Sequence, residues 1–107
     1  MPDWYLYIIE NKLGHYYTGI CKDVSRRFKE HQCGGARCAK ALKGKAPLCL
    51  KYCVGLKNQS EALKAELWVK SLTRQNKSKL IEGELVAEFE LQMLPPTHIA
   101  KLPVNMR

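Results

Sequence analysis

The chain contains no apolar run approaching the roughly 20 residues that a bilayer-spanning helix needs, and its 107 residues leave room for one domain. Nothing resembles a secretory signal, because Met1-Pro2-Asp3 leads straight into the strand-like Trp4-Tyr5-Leu6-Tyr7-Ile8-Ile9. A cytoplasmic protein without a membrane partner is the expectation. Cys-x-x-Cys is absent, and the five cysteines, at 21, 33, 38, 49 and 53, are odd in number. That argues against a disulfide framework and for reduced thiols, most of them buried as small hydrophobes. His31, Cys33 and Cys38 are conceivable zinc ligands, but they lack a second tight pair, and packing is the favoured reading. Internal repeats and interdomain linkers are missing too.

Acidic residues are scarce where basic ones crowd. Eighteen Lys and Arg face ten Asp and Glu, a net charge of +8, within the 46% apolar and 26% charged composition of an ordinary globule. Residues 22–51 carry nine basic and two acidic side chains, and residues 57–80 carry six and two. Residues 82–90 then hold four glutamates and no base. Basic stretches of this density point to a polyanion, most often nucleic acid. The alternative is a solvated face kept soluble by its charge.

Residues 4–9 are aromatic and β-branched and read as a strand. Glu10 to Gly14 is a turn, and His15 to Ile20 is the return strand of a hairpin. Pairing Ile9 with His15 sets Tyr7 opposite Tyr17 and Tyr5 opposite Gly19. Alternation then places Tyr5, Tyr7, His15, Tyr17 and Gly19 on one face. Asp23 caps a helix running to about Gln32 and ended by Gly34-Gly35. Its inward stripe is Val24, Arg27, Phe28 and His31. Ala36 to Pro47 is expected as a short surface helix or loop. Leu48 to Val54 alternates as a third strand, with Leu48, Leu50, Tyr52 and Val54 on one side. Asn58 with Glu61 forms a capping box for a long helix to about Arg74. Its apolar face is Ala62, Ala65, Trp68, Val69 and Leu72, widened by Leu63 and Leu67, with Glu66 inside the arc. Asn76 to Ile81 suggests another short helix, segment 82–94 could be helical, and Pro95, Pro96 and Pro103 mark an irregular tail. The fold class is α/β of the α+β kind, in the order β-β-α-(α)-β-α-α. A small three-stranded antiparallel sheet flanked by helices is the economical solution.

Arg27, His31 and Glu66 are polar residues on inward faces, beside a strand face bearing Tyr7 and Tyr17. Singly, each has a bland explanation: a buried Arg27–Glu66 pair, a Glu66–Lys70 helix pair, core tyrosines, a hydrogen-bonded histidine. Together in a basic protein they assemble the needs of phosphodiester cleavage. A carboxylate holds a hard metal, a guanidinium meets the developing phosphoryl charge, and a further group handles the proton of water.

Tyr5-Leu6-Tyr7, followed ten residues on by Tyr17-Thr18-Gly19, resembles the paired motifs of the GIY-YIG nuclease superfamily. Arg27 and His31 stand at the spacing of its downstream arginine and histidine. Ser60 to Glu66 resembles the helix that delivers its metal-binding glutamate. The likeness covers about residues 4–82 and looks closest to a small, single-domain bacterial branch of endonuclease-like proteins. It implies residues 1–82 as the nuclease domain and 83–107 as a C-terminal extension. By position, Tyr7 matches the general base or its relay, and Tyr17 the residue orienting water or phosphate. Arg27 would stabilise the transition state, His31 would assist proton transfer or position Tyr7, and Glu66 would ligate a single Mg²⁺ or Mn²⁺. This sequence departs from the pattern at Tyr5, in place of the first glycine, at Thr18, in place of a hydrophobe, and at Ile20, where some members are basic. Asn76 is only a weak match to the family's late asparagine.

The expected protein is thus a monomeric, metal-dependent endonuclease acting on DNA, or else RNA, in repair or processing. Arg26, Lys29, Arg37, Lys40, Lys43, Lys45 and Lys70 are its expected phosphate contacts. The competing readings are a nucleic-acid-binding module with vestigial chemistry and an interaction protein whose Arg27 and Glu66 are only structural.

Overall fold

The computed structural model describes residues 3–85. Strands β1 (Trp4–Glu10) and β2 (Tyr16–Cys21) are followed by helix α1 (Val24–Cys33), a 3₁₀ turn (Lys40–Leu42) and strand β3 (Cys49–Leu56). Helices α2 (Gln59–Ser71) and α3 (Arg74–Ile81) complete the order. The three strands form an antiparallel sheet with β1 in the middle, in the order β2-β1-β3. The α+β class and the element order are as expected. The proposed helix in 82–94 and the proline-marked tail lie largely outside the described residues.

The hairpin register differs from expectation by two residues. Tyr7 pairs with Gly19, Ile9 with Tyr17 and Glu10 with Tyr16. Asn11 causes this. Its Oδ1 accepts the N–H groups of Leu13 at 2.8 Å and His15 at 3.0 Å, while its own N–H donates to His15 O. Gly14, at φ 82°, supplies the left-handed residue that closes this short loop. A slip of two preserves parity, so Tyr5, Tyr7, Tyr17 and Gly19 still share a face. His15 does not join them; it lies exposed in the loop before β2.

A second irregularity sits in β3. Ile8 pairs with Tyr52 but Ile9 pairs with Leu50, so Lys51 is an extra residue in a β-bulge. The bulge exchanges the two faces of the strand. Tyr52, Val54 and Leu56 pack beneath α2, whereas Leu48 and Leu50 pack on the α1 side with Cys53. The simple alternation expected for Leu48 to Val54 is therefore broken at its centre.

Both faces of the sheet are covered. Leu6 and Ile8 meet Ala62, Ala65 and Val69 of α2 and Leu80 of α3 on one side. Tyr7 and Ile9 meet Val24 and Phe28 of α1, and Cys38, Leu42 and Leu48 of the following segment, on the other. That segment is more than a surface loop, because Cys38 and Leu42 are buried. The cysteines divide accordingly: Cys21, Cys38 and Cys53 are buried, Cys49 is half-buried and Cys33 is exposed.

Helix ends follow their capping residues. The Asp23 side chain accepts the Arg26 N–H, and Gly34 takes the left-handed C-cap of α1 at φ 70°. The Asn58 side chain accepts the Glu61 N–H to open α2. That helix stops at Ser71, short of Arg74, because Leu72 is extended and the Thr73 hydroxyl caps Asn76 N–H to start α3 at Arg74. Leu63 and Leu67 do not widen the buried face but are 45% and 71% exposed. Ala62, Ala65 and Val69 make the contact with the sheet, and Leu63 lies a further ~100° round the helix from Ala62.

Candidate active site

The hairpin and α1 bring Tyr7, Tyr17, Arg27 and His31 together. Tyr7 sits on the central strand and Tyr17 on its neighbour, with side chains on the same face. Arg27 and His31, one turn apart, project from α1 toward them. Tyr7 Oη and His31 Nε2 are 3.0 Å apart. The Tyr17 and His31 rings meet edge to face at 5.6 Å, and the two phenol rings lie 6.3 Å apart. Tyr7 and His31 are 2% and 1% exposed, while Tyr17 is half-buried and borders the solvent.

Gly19 makes this arrangement possible. A Cβ there would stand 2.5 Å from Tyr7 Oη and 2.7 Å from its Cζ, closer than side-chain atoms tolerate. The end of the buried phenol therefore lies on bare backbone of the edge strand.

Arg27 is held by several acceptors. Its Nη1 donates to Glu30 Oε1 at 2.9 Å and to the Arg37 carbonyl at 2.7 Å, and its charge acts on the neighbouring Tyr7 phenol. Partial burial opposes its charge, but Glu30 and Tyr7 outweigh that and raise its pKa. Glu30 is held charged chiefly by the Arg27 hydrogen bond. Its carboxylate also meets Arg26 at 3.3 Å and Arg37 at 4.0 Å. Burial, then the nearby Arg27 charge, pushes His31 from its ordinary 6.5 down to about 4. Burial pushes the Tyr7 phenol well above its ordinary range, with the Arg27 cation pulling the other way.

Glu66 is placed differently. It stands on α2, the helix that covers the opposite side of the sheet and packs against β2 and β1. Its side chain is 19% exposed and pairs with Lys70 Nζ at 3.3 Å, as helix neighbours do. The buried Arg27–Glu66 pair considered from sequence does not form, because the partner of Arg27 is Glu30. Among the described residues no three His, Cys, Asp or Glu side chains gather as a ready-made metal cage. A lone carboxylate is nevertheless a suitable donor for a hard cation that keeps most of its waters and takes further oxygens from substrate phosphate.

The expected phosphate contacts fall in distinct places. Arg26, Lys29 and Arg37 line a groove of about 690 Å³ beside α1, with Glu30 and Ser25. Lys40 and Lys43 are exposed around the 3₁₀ turn, and Lys45 is half-buried. Lys70 lies apart from these on α2, exposed and paired with Glu66 at 3.3 Å. Sequence reasoning missed Glu30 and Gly19 as parts of the site. Glu30 was accessible through its spacing, three residues from Arg27 and four from Arg26. The demand on Gly19 appears only once Tyr7 faces it across the hairpin.

The sheet, ordered β2-β1-β3, sets Tyr7 and Tyr17 facing an arginine-bearing first helix. The model for the GIY-YIG catalytic domain matches residues 3–79, and the chain belongs to the GIY-YIG family. Among its relatives is a UPF0213 protein of Cronobacter sakazakii, 46% identical over 88 residues that span 82% of this chain and 90% of that one. The UPF0213 protein YhbQ of Escherichia coli O127:H6 is 45% identical over 90 residues, spanning 83% and 88%. The solution NMR structure of a UPF0213 protein from Bacillus halodurans matches with a TM-score of 0.50 at 35% identity, covering 83% of this chain and 92% of that one. The family is one of nucleases that generally depend on divalent metal. Among the described residues no helix is long and apolar enough to cross a membrane.

Proposed function

We propose that this chain is a metal-dependent endonuclease that hydrolyses DNA phosphodiester bonds, acting as a monomer in DNA repair or processing. The supporting observation is the cluster in which Arg27 contacts Tyr7 while Tyr7 contacts His31. Such a guanidinium is preorganised for charge that builds on a phosphoryl group. Tyr17, the more exposed phenol, orients the attacking water or the phosphate, and Tyr7 acts behind it as a relay. The water oxygen bonds to phosphorus as the bond to the 3′ oxygen breaks, leaving a 5′-phosphate and a 3′-hydroxyl. A single Mg²⁺ or Mn²⁺, when bound at Glu66, supplies Lewis-acid stabilisation and a more acidic water. Arg26, Lys29 and Arg37 in the groove, with Lys40, Lys43 and Lys45, bind backbone phosphates with little sequence preference. Lys70, paired with Glu66, would balance the charge of that carboxylate.

The second reading is a nucleic-acid-binding module of the same fold with weak chemistry. The Glu66–Lys70 pair favours it, since that lysine occupies the carboxylate. Incubation with labelled duplex, branched and single-stranded DNA and with RNA, in Mg²⁺, Mn²⁺ or chelator, separates the two. Cleavage is expected only with metal. It is expected to vanish in Glu66→Gln, which keeps nearly all its DNA affinity. Wild-type nicking by Glu66→Gln would remove Glu66 from the site, and binding without nicking in any metal would favour the second reading.

A further inference from the structure

His31 is 1% exposed, so both ring nitrogens must find partners within the fold. Nδ1 lies 3.3 Å from the backbone nitrogen of Ala39, whose N–H is directed at it. A backbone N–H only donates, so Nδ1 there presents a lone pair. A neutral imidazole carries one proton, which must then be on Nε2. Nε2 is the atom 3.0 Å from Tyr7 Oη. The ring is therefore the donor in that bond and the phenol oxygen the acceptor. The Arg27 charge also acts on the Tyr7 phenol. The ring thus donates to Tyr7 Oη, and the phenol's own hydrogen is not given to His31.

We infer that the backbone N–H of Ala39 holds His31 as its Nε2–H tautomer, making the ring a fixed hydrogen-bond donor to Tyr7 and not an acceptor of its proton. His31 is thus a positioning residue that favours negative charge on the Tyr7 oxygen. The segment after α1 sets the arrangement. Cys38 Sγ donates to the His31 carbonyl at 3.2 Å, and Cys38 N–H donates to Gly35 O at 3.0 Å. The Ala39 carbonyl accepts from Leu42 N–H at 2.9 Å, so the amide aimed at Nδ1 sits in a closed turn. The basic segment expected only to meet phosphate has a second task inside the protein.

The surroundings keep the ring neutral. Arg27 and Glu30 share its helix, Tyr17 approaches from β2 and Tyr7 from β1, and Cys38 bonds its carbonyl from the following segment. Burial and the Arg27 charge both disfavour imidazolium, and only the smaller effect of Glu30 opposes them. A histidine that stays neutral and already carries its proton toward Tyr7 cannot take another from it.

The catalytic consequence rests on the nuclease reading, but the wiring does not, and the test separates them. Long-range ¹H–¹⁵N spectra of the full chain with labelled histidine report which ring nitrogen is protonated. The expected result at neutral pH is a protonated Nε2 and a bare Nδ1. Tyr7→Phe should leave that tautomer unchanged while the Nε2–H resonance moves, because Ala39 sets the choice. A proton on Nδ1, a flip in Tyr7→Phe, or a ring titrating near its ordinary 6.5 overturns the inference. In cleavage assays His31→Gln, whose amide N–H reaches the Nε2 position, should retain most activity. His31→Asn, whose carbonyl reaches only the Nδ1 position, should lose on the order of tenfold, the worth of one good hydrogen bond. Rescue by Asn and not by Gln would overturn the donor assignment. Confirmed spectra without cleavage in any metal would sink the nuclease reading and uphold the wiring.

Discussion

The two faces of the sheet are built on different principles. Under α2 the contacts are mostly aliphatic, with Leu6, Ile8, Val54, Leu56, Val69 and Leu80 around Tyr52, several at zero or 1% exposure. Under α1 the same strands present Tyr7, Tyr17 and the bare backbone of Gly19 to Arg27 and His31. Burial of area stabilises the first face, and its members tolerate exchange of similar volume. The second depends on directed bonds with single partners, such as His31 to Tyr7 and to Ala39. One face can thus be damaged in stability and the other in chemistry, although they share three strands.

Paired substitutions test that division most strongly. Arg27→Ala is expected to lower the cleavage rate by ~10²-fold or more, as does loss of a preorganised transition-state donor. Its 31% exposed side chain should cost under about 1 kcal/mol of stability. Leu6→Ala on the other face should do the reverse, losing about 2–5 kcal/mol while each folded molecule cleaves normally. Denaturant melts beside kinetics decide it. An Arg27→Ala protein that lost stability alone would reduce the arginine to a structural role.

Gly19→Ala crosses the boundary. Its methyl would displace the Tyr7 hydroxyl and strain the hairpin, costing about 1–3 kcal/mol together with a fall in rate. Unchanged melting and unchanged cleavage would show that Tyr7 has another resting place.

A gentler probe is pH. The folded protein holds His31 near 4 whereas the unfolded chain holds it near 6.5, so the unfolded state binds more protons between those values. The contribution to stability is complete above about 6.5 and is lost as pH falls toward 4. His31→Gln should flatten that part of the stability–pH curve, measured by urea melts at several pH values. Glu30, whose pKa is lowered chiefly by the Arg27 bond, adds a loss of its own in more acid solution. An identical slope in the variant would place the proton uptake elsewhere.

Neutralising Lys40, Lys43 and the half-buried Lys45 together should have the smallest effect on the fold, with less than about 0.5 kcal/mol from each exposed charge. If they meet phosphate, DNA affinity weakens alike across sequences, and log affinity against log salt flattens by roughly two to three units. Parallel salt titrations for wild type and variant would move the nucleic-acid path to Lys64, Lys70 and Arg74.

The caps at Asp23, Gly34 and Asn58 were legible because each acts on residues a few positions away. So was the shared face of Tyr7 and Tyr17, which survives a register slip of two. What stayed hidden depends on distant or competing partners. The choice of Asn11 to bond Leu13 and His15 moved the register, and Thr73 capped a new helix where the apolar pattern still ran on. The four-residue cluster of Tyr7, Tyr17, Arg27 and His31 could be assembled from spacing and resemblance. The Arg37 carbonyl that holds Arg27 and the Ala39 amide needed the backbone after α1 to fold back over the helix.

The bulge at Lys51 makes one stretch of β3 unusually intolerant of length change. Surface loops absorb inserted or deleted residues at little cost. Deleting Lys51 would remove the residue that lets Tyr52 face α2 while Leu50 faces α1. Every side chain upstream of the deletion would then be presented to the wrong neighbour, with Leu48 and Leu50 turned from the α1 side toward the aliphatic face. Insertions and deletions should therefore be excluded from this strand, which behaves as a reading frame with one permitted shift.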